Sequence, residues 1–237
     1  MPTLYIVATP IGNLEDITLR ALRVLKEVDL IACEDTRRTK ILLNHYEIAT
    51  PVVSYHQHSK LQKIDWLIEK LISGKDIALV SDAGTPGIND PGGSLVAAVT
   101  KRNYELGIKN HENREEILIV PIPGPNAGIT LLSVGGITAD QYLFLGYLPK
   151  KKGRATLLRR LAMTNSEFRI PIVLYESPYR LVRTLQDFVA IFPHGKVIIG
   201  RELTKKFEEI WRGTLAAAIE CWPVKKPRGE FVLIVSL

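Results

Sequence analysis

Ile77-Ala78-Leu79-Val80-Ser81-Asp82-Ala83-Gly84-Thr85-Pro86-Gly87-Ile88-Asn89-Asp90-Pro91-Gly92 runs an apolar stretch into a loop of glycine, proline and small polar residues, then into the start of a helix over Gly92–Thr100. The same order occurs on either side. Leu4–Val7 leads into Thr9-Pro10-Ile11-Gly12-Asn13, and Ile117–Val120 leads into Pro123-Gly124-Pro125-Asn126-Ala127-Gly128. A short run that is apolar throughout reads as a strand buried on both faces, as in a parallel sheet covered by helices. In such sheets ligands bind beyond the carboxyl ends of the strands. Three loops of this kind at one edge predict a pocket walled by main chain. Glycine admits a ligand close to the backbone, and proline fixes the loop before anything binds.

The loops also say what the ligand is not. A dinucleotide fingerprint needs G-x-G-x-x-G after the first strand, and that turn carries only Gly12, with Pro10 before it. A P-loop needs Gly-Lys followed by Ser or Thr, whereas Gly74-Lys75 is followed by Asp76. Diphosphate binding loses support. A cofactor with an adenosine end and no phosphates remains compatible, and S-adenosylmethionine is the obvious candidate.

Outward from these loops, strands and helices alternate from residue 1 to about 122, the βα pattern of a parallel sheet. Thr18–Val28 carries Leu19, Leu22, Leu25 and Val28 on one stripe, and Lys60–Ile72 repeats the logic. Beyond Ala139 the texture changes. Strands are expected at Tyr142–Leu148, Ile172–Tyr175, Val197–Gly200, Ile210–Gly213 and Phe231–Leu237, with helices at Gly153–Met163 and Tyr179–Ile191. The expected fold is α/β in two domains, 1–122 and 123–237. The first has a parallel sheet, the second a mixed one, and the cofactor cleft is expected between them.

The 237 residues are 46% hydrophobic and 24% charged, an ordinary globular balance. The apolar runs are too short to span a bilayer, and Met1-Pro2-Thr3 opens into a strand rather than a secretory signal. Cys33 and Cys221 are the only cysteines, which fits a reducing cytoplasm. Net charge is +6 with a pI near 9.3, past the guideline of about 9 for nucleic-acid binders. Lys150, Lys151, Lys152, Arg154, Arg159 and Arg160 form one basic run without an acid; Arg37, Arg38 and Lys40 form a second, and Lys225, Lys226 and Arg228 a third. Any one run is ordinarily solvated surface. Three together favour a polyanionic partner over a membrane.

In order along the chain, Ala8–Thr18, Cys33-Glu34-Asp35-Thr36-Arg37, Ser54-Tyr55-His56-Gln57-His58, Ser81–Gly92, Pro121–Ala127, Tyr175-Glu176-Ser177-Pro178-Tyr179-Arg180 and Arg201-Glu202-Leu203-Thr204-Lys205 resemble one family. It is the ribosomal RNA small-subunit methyltransferase I group, with the tetrapyrrole-methylase fold. The resemblance implies methyl transfer from S-adenosylmethionine to the ribose 2′-hydroxyl of a cytidine in small-subunit ribosomal RNA, free or in the assembled subunit, by a homodimer. Asn89 and Asn126 stand where the family usually has Ser, Lys101–Glu116 is longer and more charged than usual, and the chain stops at Leu237 without the extra segment of some relatives. The rival readings are a tetrapyrrole or other small-molecule methylase of the same fold, and a non-catalytic RNA-binding protein.

Cofactor contacts are expected from Pro10, Gly12, Asp82, Gly84, Thr85, Pro86, Gly87, Ile88, Asn126 and Ala127, with Tyr175 and Glu176 added by the resemblance. Glu34 and Asp35 end the second strand at the same edge and are candidates for a ribose contact or the proton acceptor, against a plain surface pair neutralised by Arg37 and Arg38. Asp82 is as readily an Asx turn, and Asp90 a helix-start signal. Lys205 and Arg201 are candidates to polarise the ribose oxygen or hold phosphate. Arg37, Arg38, Lys150, Lys151, Lys152, Arg154 and Arg180 are expected on the RNA. His56 and His58 share a side if extended, but no metal site is completed around them, so none is expected.

Overall fold

The computed structural model describes residues 1–55, 61–90, 92–106, 116–168, 170–224 and 228–236. The His56/His58 pair, Pro91, most of the charged 101–116 stretch and Lys225-Lys226 lie outside the described residues. The chain divides into two compact units, Met1–Asn126 and Ala127–Leu237. The loop after the fifth strand therefore belongs to the first unit, not to the second as the 122/123 boundary had it. The reason is local: the Ala8 amide donates to the Ile122 carbonyl, and the Thr85 hydroxyl donates to the Pro125 carbonyl.

The first unit is built from β1 (Thr3–Val7), α1 (Leu19–Glu27), β2 (Leu30–Cys33), α2 (Thr36–His45), β3 (Val52–Ser54), α3 (Leu61–Ile72), β4 (Ile77–Val80), α4 (Gly92–Glu105) and β5 (Leu118–Ile122). Its sheet runs β3-β2-β4-β1-β5, and every pairing is parallel. Alternate side chains face alternate layers. Val7, Ile31, Cys33, Ala78 and Val80 pack with Ala21, Val24 and Leu25 of α1 and Leu42 and Leu43 of α2. Leu4, Ala32, Ile77 and Leu79 pack with Leu67 and Leu71 of α3 and Leu95 and Val99 of α4. The chain thus leaves β1 over one face and β4 over the other, while β1 and β4 are neighbours. Their carboxyl ends form a topological switch point, where doubly wound sheets place their ligands.

Pro121 lies inside β5, where the sequence had ended the strand. A proline without an N–H is tolerated because β5 is an edge strand paired only with β1.

The second unit comprises α5 (Ala127–Ser133), β6 (Leu143–Tyr147), α6 (Arg154–Phe168), β7 (Ile172–Glu176), α7 (Leu181–Ile191), β8 (Lys196–Arg201), β9 (Glu209–Thr214), α8 (Leu215–Val224) and β10 (Phe231–Ser236). The sheet order is β6-β7-β10-β8-β9; only β6 and β7 run parallel, so the sheet is mixed. Its largest core gathers Leu158 and Leu161 of α6, Leu185 and Phe188 of α7 and Trp222 of α8 over one face. Helix α5 lies on the other, close enough that a Cβ on Gly200 would sit 2.9 Å from Leu131 Cδ1.

Candidate functional site

The loops after β1, β4 and β5 meet at the switch point. Thr9 and Gly84 exchange backbone hydrogen bonds of 2.9 and 3.0 Å, and the Thr9 hydroxyl donates to the Ser81 carbonyl at 3.1 Å. The Thr85 hydroxyl reaches the Pro125 carbonyl at 3.2 Å. Gly84 has φ +81°, a backbone that side chains rarely adopt. At Gly124 a Cβ would lie 2.9 Å from Ala8 Cβ, so the first and third loops pack backbone against side chain. The loop edge is thus joined by its own main chain, with Gly12, Gly87 and Ile88 exposed on it and Pro10, Thr85 and Asn126 half-buried.

The second loop ends in a built turn. One carboxylate oxygen of Asp90 accepts the amides of both Gly87 and Gly92, the latter opening α4. Asp90 is thus the helix-start signal it resembles in sequence. A Cβ on Gly92 would meet the Gly87 amide at 2.7 Å, so only glycine fits there.

The acids separate into distinct roles. Asp35 caps α2, accepting the Arg37 amide at 2.9 Å and the Arg37 guanidinium at 3.1 and 2.7 Å. The Arg37 side chain and amide hold its carboxyl down to about 2. Among the described residues, the Asp82 carboxylate reaches out of its own loop rather than into an Asx turn. It accepts the Asp35 amide at 3.0 Å and pairs with Arg38 at 3.3 Å, tying the β4 loop to the end of β2. Glu34 differs from both. Burial, then the like charges of Asp82 and Asp90, push its carboxyl up, outweighing the Asp82 amide and Arg38. A carboxyl with a raised pKa at a ligand-binding edge is a candidate proton acceptor.

The Asp35 cap carries a pH prediction. A carboxyl held below its ordinary 3.8 contributes stability above that value and loses it as pH falls toward about 2. Asp35→Ala should therefore melt below the parent at pH 7, and the two melting curves should converge as pH drops from about 4 to 2. A gap that persists unchanged at pH 2 would remove the charge from the account.

In the second unit, two expected ligand contacts are instead internal. Arg154 is buried at 4% exposure. Its Nε lies 2.7 Å from Asp187 Oδ2, its Nη2 donates to the Thr184 hydroxyl at 2.9 Å, and its Nη1 donates to the Pro149 carbonyl at 3.3 Å. It is removed from the RNA-facing set because its guanidinium is consumed by the fold. Glu176 is fully buried. It accepts the Thr184 hydroxyl at 2.6 Å and the Ser177 amide at 2.8 Å, and Arg180 pairs with it at 3.2 Å. Its carboxylate is thus turned into the unit, on Thr184, Ser177 and Arg180, with no exposed surface to offer a cofactor. Tyr175 packs edge-on to Phe144 and Tyr147 with centroids 5.2 and 5.9 Å away.

Arg201 donates to the Arg228 carbonyl at 2.7 Å and pairs with Glu209 at 3.5 Å. The Lys205 ammonium bridges Glu202 at 3.2 Å and Glu230 at 2.9 Å. Burial pulls its pKa down, but the bonds and charges of Glu230 and Glu202 win and keep it protonated. It serves as a cation, not as a base. Lys150, Lys151 and Lys152 are exposed between β6 and α6. The network around Arg154 went unread in the sequence, although Thr184 and Asp187 stand at helical spacing on α7.

Residues 3–219 match the family model described as Tetrapyrrole (Corrin/Porphyrin) Methylases. Among solved structures, the methyltransferase CobJ has a TM-score of 0.70 at 16% identity, covering 100% of this chain and 94% of that one. The uroporphyrin-III C-methyl transferase from Thermus thermophilus complexed with S-adenyl homocysteine has a TM-score of 0.64 at 16% identity, covering 98% and 91%. At such identities the likeness is one of fold. Two curated relatives are closer in sequence, both called ribosomal RNA small subunit methyltransferase I. That of Halalkalibacterium halodurans is 48% identical over 235 residues, covering 99% of this chain and 75% of the relative. That of Thermotoga maritima is 42% identical over 236 residues, covering 100% and 99%. The chain belongs to the tetrapyrrole methylase family and, within it, to the ribosomal RNA small subunit methyltransferase I group.

Proposed function

We propose that the protein transfers a methyl group from S-adenosylmethionine to the ribose 2′-hydroxyl of a cytidine in small-subunit ribosomal RNA, free or assembled. The observation that carries this reading is the end-to-end likeness to the Thermotoga maritima protein, 42% identical over 99% of its length. In this reading the enzyme works in the cytoplasm as a homodimer.

The switch-point edge fits the cofactor. Its walls are main chain, Ile88 is exposed on it, and the acids Glu34, Asp82 and Asp90 gather there, with Arg38 paired to Asp82. A cationic sulfonium suits that balance and a diphosphate does not. The bound cofactor supplies an already activated methyl carbon. The loops must then align it with the attacking oxygen, which in a near-attack geometry supplies roughly 7–11 kcal/mol. With the cofactor held at these loops, Glu34 would accept the proton of the attacking hydroxyl. Lys205, kept protonated by Glu230 and Glu202, and Arg201, oriented by Glu209 and the Arg228 carbonyl, offer positive charge to the RNA.

S-adenosylmethionine and S-adenosylhomocysteine should raise the melting temperature, because a ligand of the folded state stabilises it by mass action. NAD and ATP should leave it unchanged. Gly84→Val forces a branched residue into φ +81° and breaks the pairing with Thr9. It should abolish the S-adenosylhomocysteine shift while the chain stays folded by circular dichroism. Transfer of labelled methyl from S-adenosylmethionine into small-subunit RNA or particles, followed by mass spectrometry of the nucleosides, tests the product. Label that enters tetrapyrroles and not RNA would overturn the substrate.

A further inference from the structure

We propose that one edge of the second-unit sheet is a stacking platform for unpaired RNA bases, with Tyr179 and Phe207 as its rings. This deepens the reading above by naming how single-stranded RNA is gripped.

Register places the parts. Tyr147 ends β6, Glu176 ends β7, Arg201 ends β8, and Phe231 begins β10 opposite both Glu176 and Arg201. The loops that follow β6, β7 and β8 therefore emerge at one edge, spread over roughly 15 Å at about 4.8 Å per strand. Onto that edge project Tyr179 at 97% exposure, Phe207 at 68% and Tyr147 at 49%. Large rings are normally buried, and three of them around one edge ask for a partner.

The rings stand on rigid loops. Arg180, next to Tyr179, donates to the Leu148 carbonyl at 2.6 Å and pairs with the buried Glu176. The Phe207 turn is braced by Lys205 between Glu202 and Glu230, and by the Thr204 amide on Glu208 at 2.6 Å. Glu202 and Thr204 hold φ +50° and +65° within it. Such a surface is ordered before binding, which lowers the entropic cost of capture.

Cations lie beside the rings. Lys206 sits 5.7 Å from the Phe207 centroid, and Lys150, Lys151 and Lys152 are exposed in the loop that follows Tyr147 after Leu148 and Pro149. Rings that offer π-faces beside ammonium groups match a ligand of flat bases on a phosphate chain. A duplex has its bases already stacked and inaccessible to such rings, so the occupant is single-stranded.

Anisotropy titrations of a fluorescent single-stranded oligoribonucleotide and of a duplex of the same length test this. Tyr179→Ala and Phe207→Ala should each weaken single-strand binding roughly 5- to 150-fold, equivalent to about 1–3 kcal/mol per stacked base. Tyr179→Phe should bind as the parent does, because the ring and not its hydroxyl is used. The slope of log K against log salt should be unchanged in the ring variants. It should fall by about 0.7 per lost phosphate contact when Lys150, Lys151 and Lys152 become Ala. Ring variants that bind like the parent, that weaken duplex binding equally, or that only dissociate a dimer in sedimentation would overturn the proposal. A parent chain that grips single strands through these rings yet methylates no RNA would overturn the proposed reaction and leave the platform standing.

Discussion

Glu34→Gln will hold S-adenosylmethionine as the parent chain does and transfer methyl groups roughly 10²- to 10⁴-fold more slowly, the contribution of a positioned base. Gln keeps the shape and the acceptor oxygen but cannot take a proton. The pH profile gives a second reading. A base must be ionised to act, so the rate falls as pH drops through its pKa. Burial and the charges of Asp82 and Asp90 raise that pKa, which places the acid limb above the ordinary glutamate value of 4.5. The same raised value makes ionised Glu34 a burden on the fold at neutral pH, since the folded state holds the proton more tightly than the unfolded one. Glu34→Gln should therefore melt above the parent at pH 7, with the gain shrinking as pH falls. Asp35→Asn should keep most of the rate, because Asp35 is occupied by the α2 cap. A Glu34→Gln enzyme with parental rate would move the proton acceptor elsewhere.

Arg154→Ala should destabilise the second unit by about 3–5 kcal/mol, the usual cost of stripping one partner from a buried charged network. It leaves Asp187 without its guanidinium and the Thr184 hydroxyl without a donor, next to a Glu176 that has no access to water. Lys151→Ala, three residues away in an exposed loop, should change stability by no more than about 0.5 kcal/mol. Urea unfolding followed by the fluorescence of Trp211 and Trp222, with Trp66 replaced by Phe, reports on this unit. Arg154→Lys should recover little, because an ammonium cannot fork between Asp187, Thr184 and the Pro149 carbonyl. Equal unfolding midpoints for Arg154→Ala and Lys151→Ala would return Arg154 to the surface.

The strands were legible because burial on both faces leaves no room for polar residues: Leu30–Cys33 and Ile77–Val80 appear in the structure with the bounds that their apolar runs suggest. Helix α3 was legible through its stripe, and α1 through part of one: Leu25 and Val28 are buried and Leu22 partly so, but Leu19 is 86% exposed and Ala21 and Val24 take the core-facing positions. Helix α2 was not, although Asp35 before Thr36 is a capping residue, because the catalytic reading of Asp35 competed with the structural one. Helix α8 escaped because Leu215–Val224 is apolar almost all round and shows no stripe; its one signal is Thr214, whose hydroxyl accepts the Ala217 amide. At the site, the loops were readable because glycine and proline announce backbone demands. Arg154 was not, since a guanidinium inside a run of lysines looks solvated until Asp187 and Thr184 are brought to it by the packing of α6 on α7.

The strand order has a consequence for the chain while it is being made. β1 lies between β4 and β5, and the Thr3 amide reaches Asp76, 73 residues later. At about 5–20 residues per second of synthesis, the first strand waits roughly 4–15 s for its partner. Neither edge of its backbone has a native sheet neighbour during that time, and Leu4 and Val7 have no core to enter. Nascent chains arrested before Ile77 should be caught by a holding chaperone. Those that extend past Ile122 should resist protease up to their last strand.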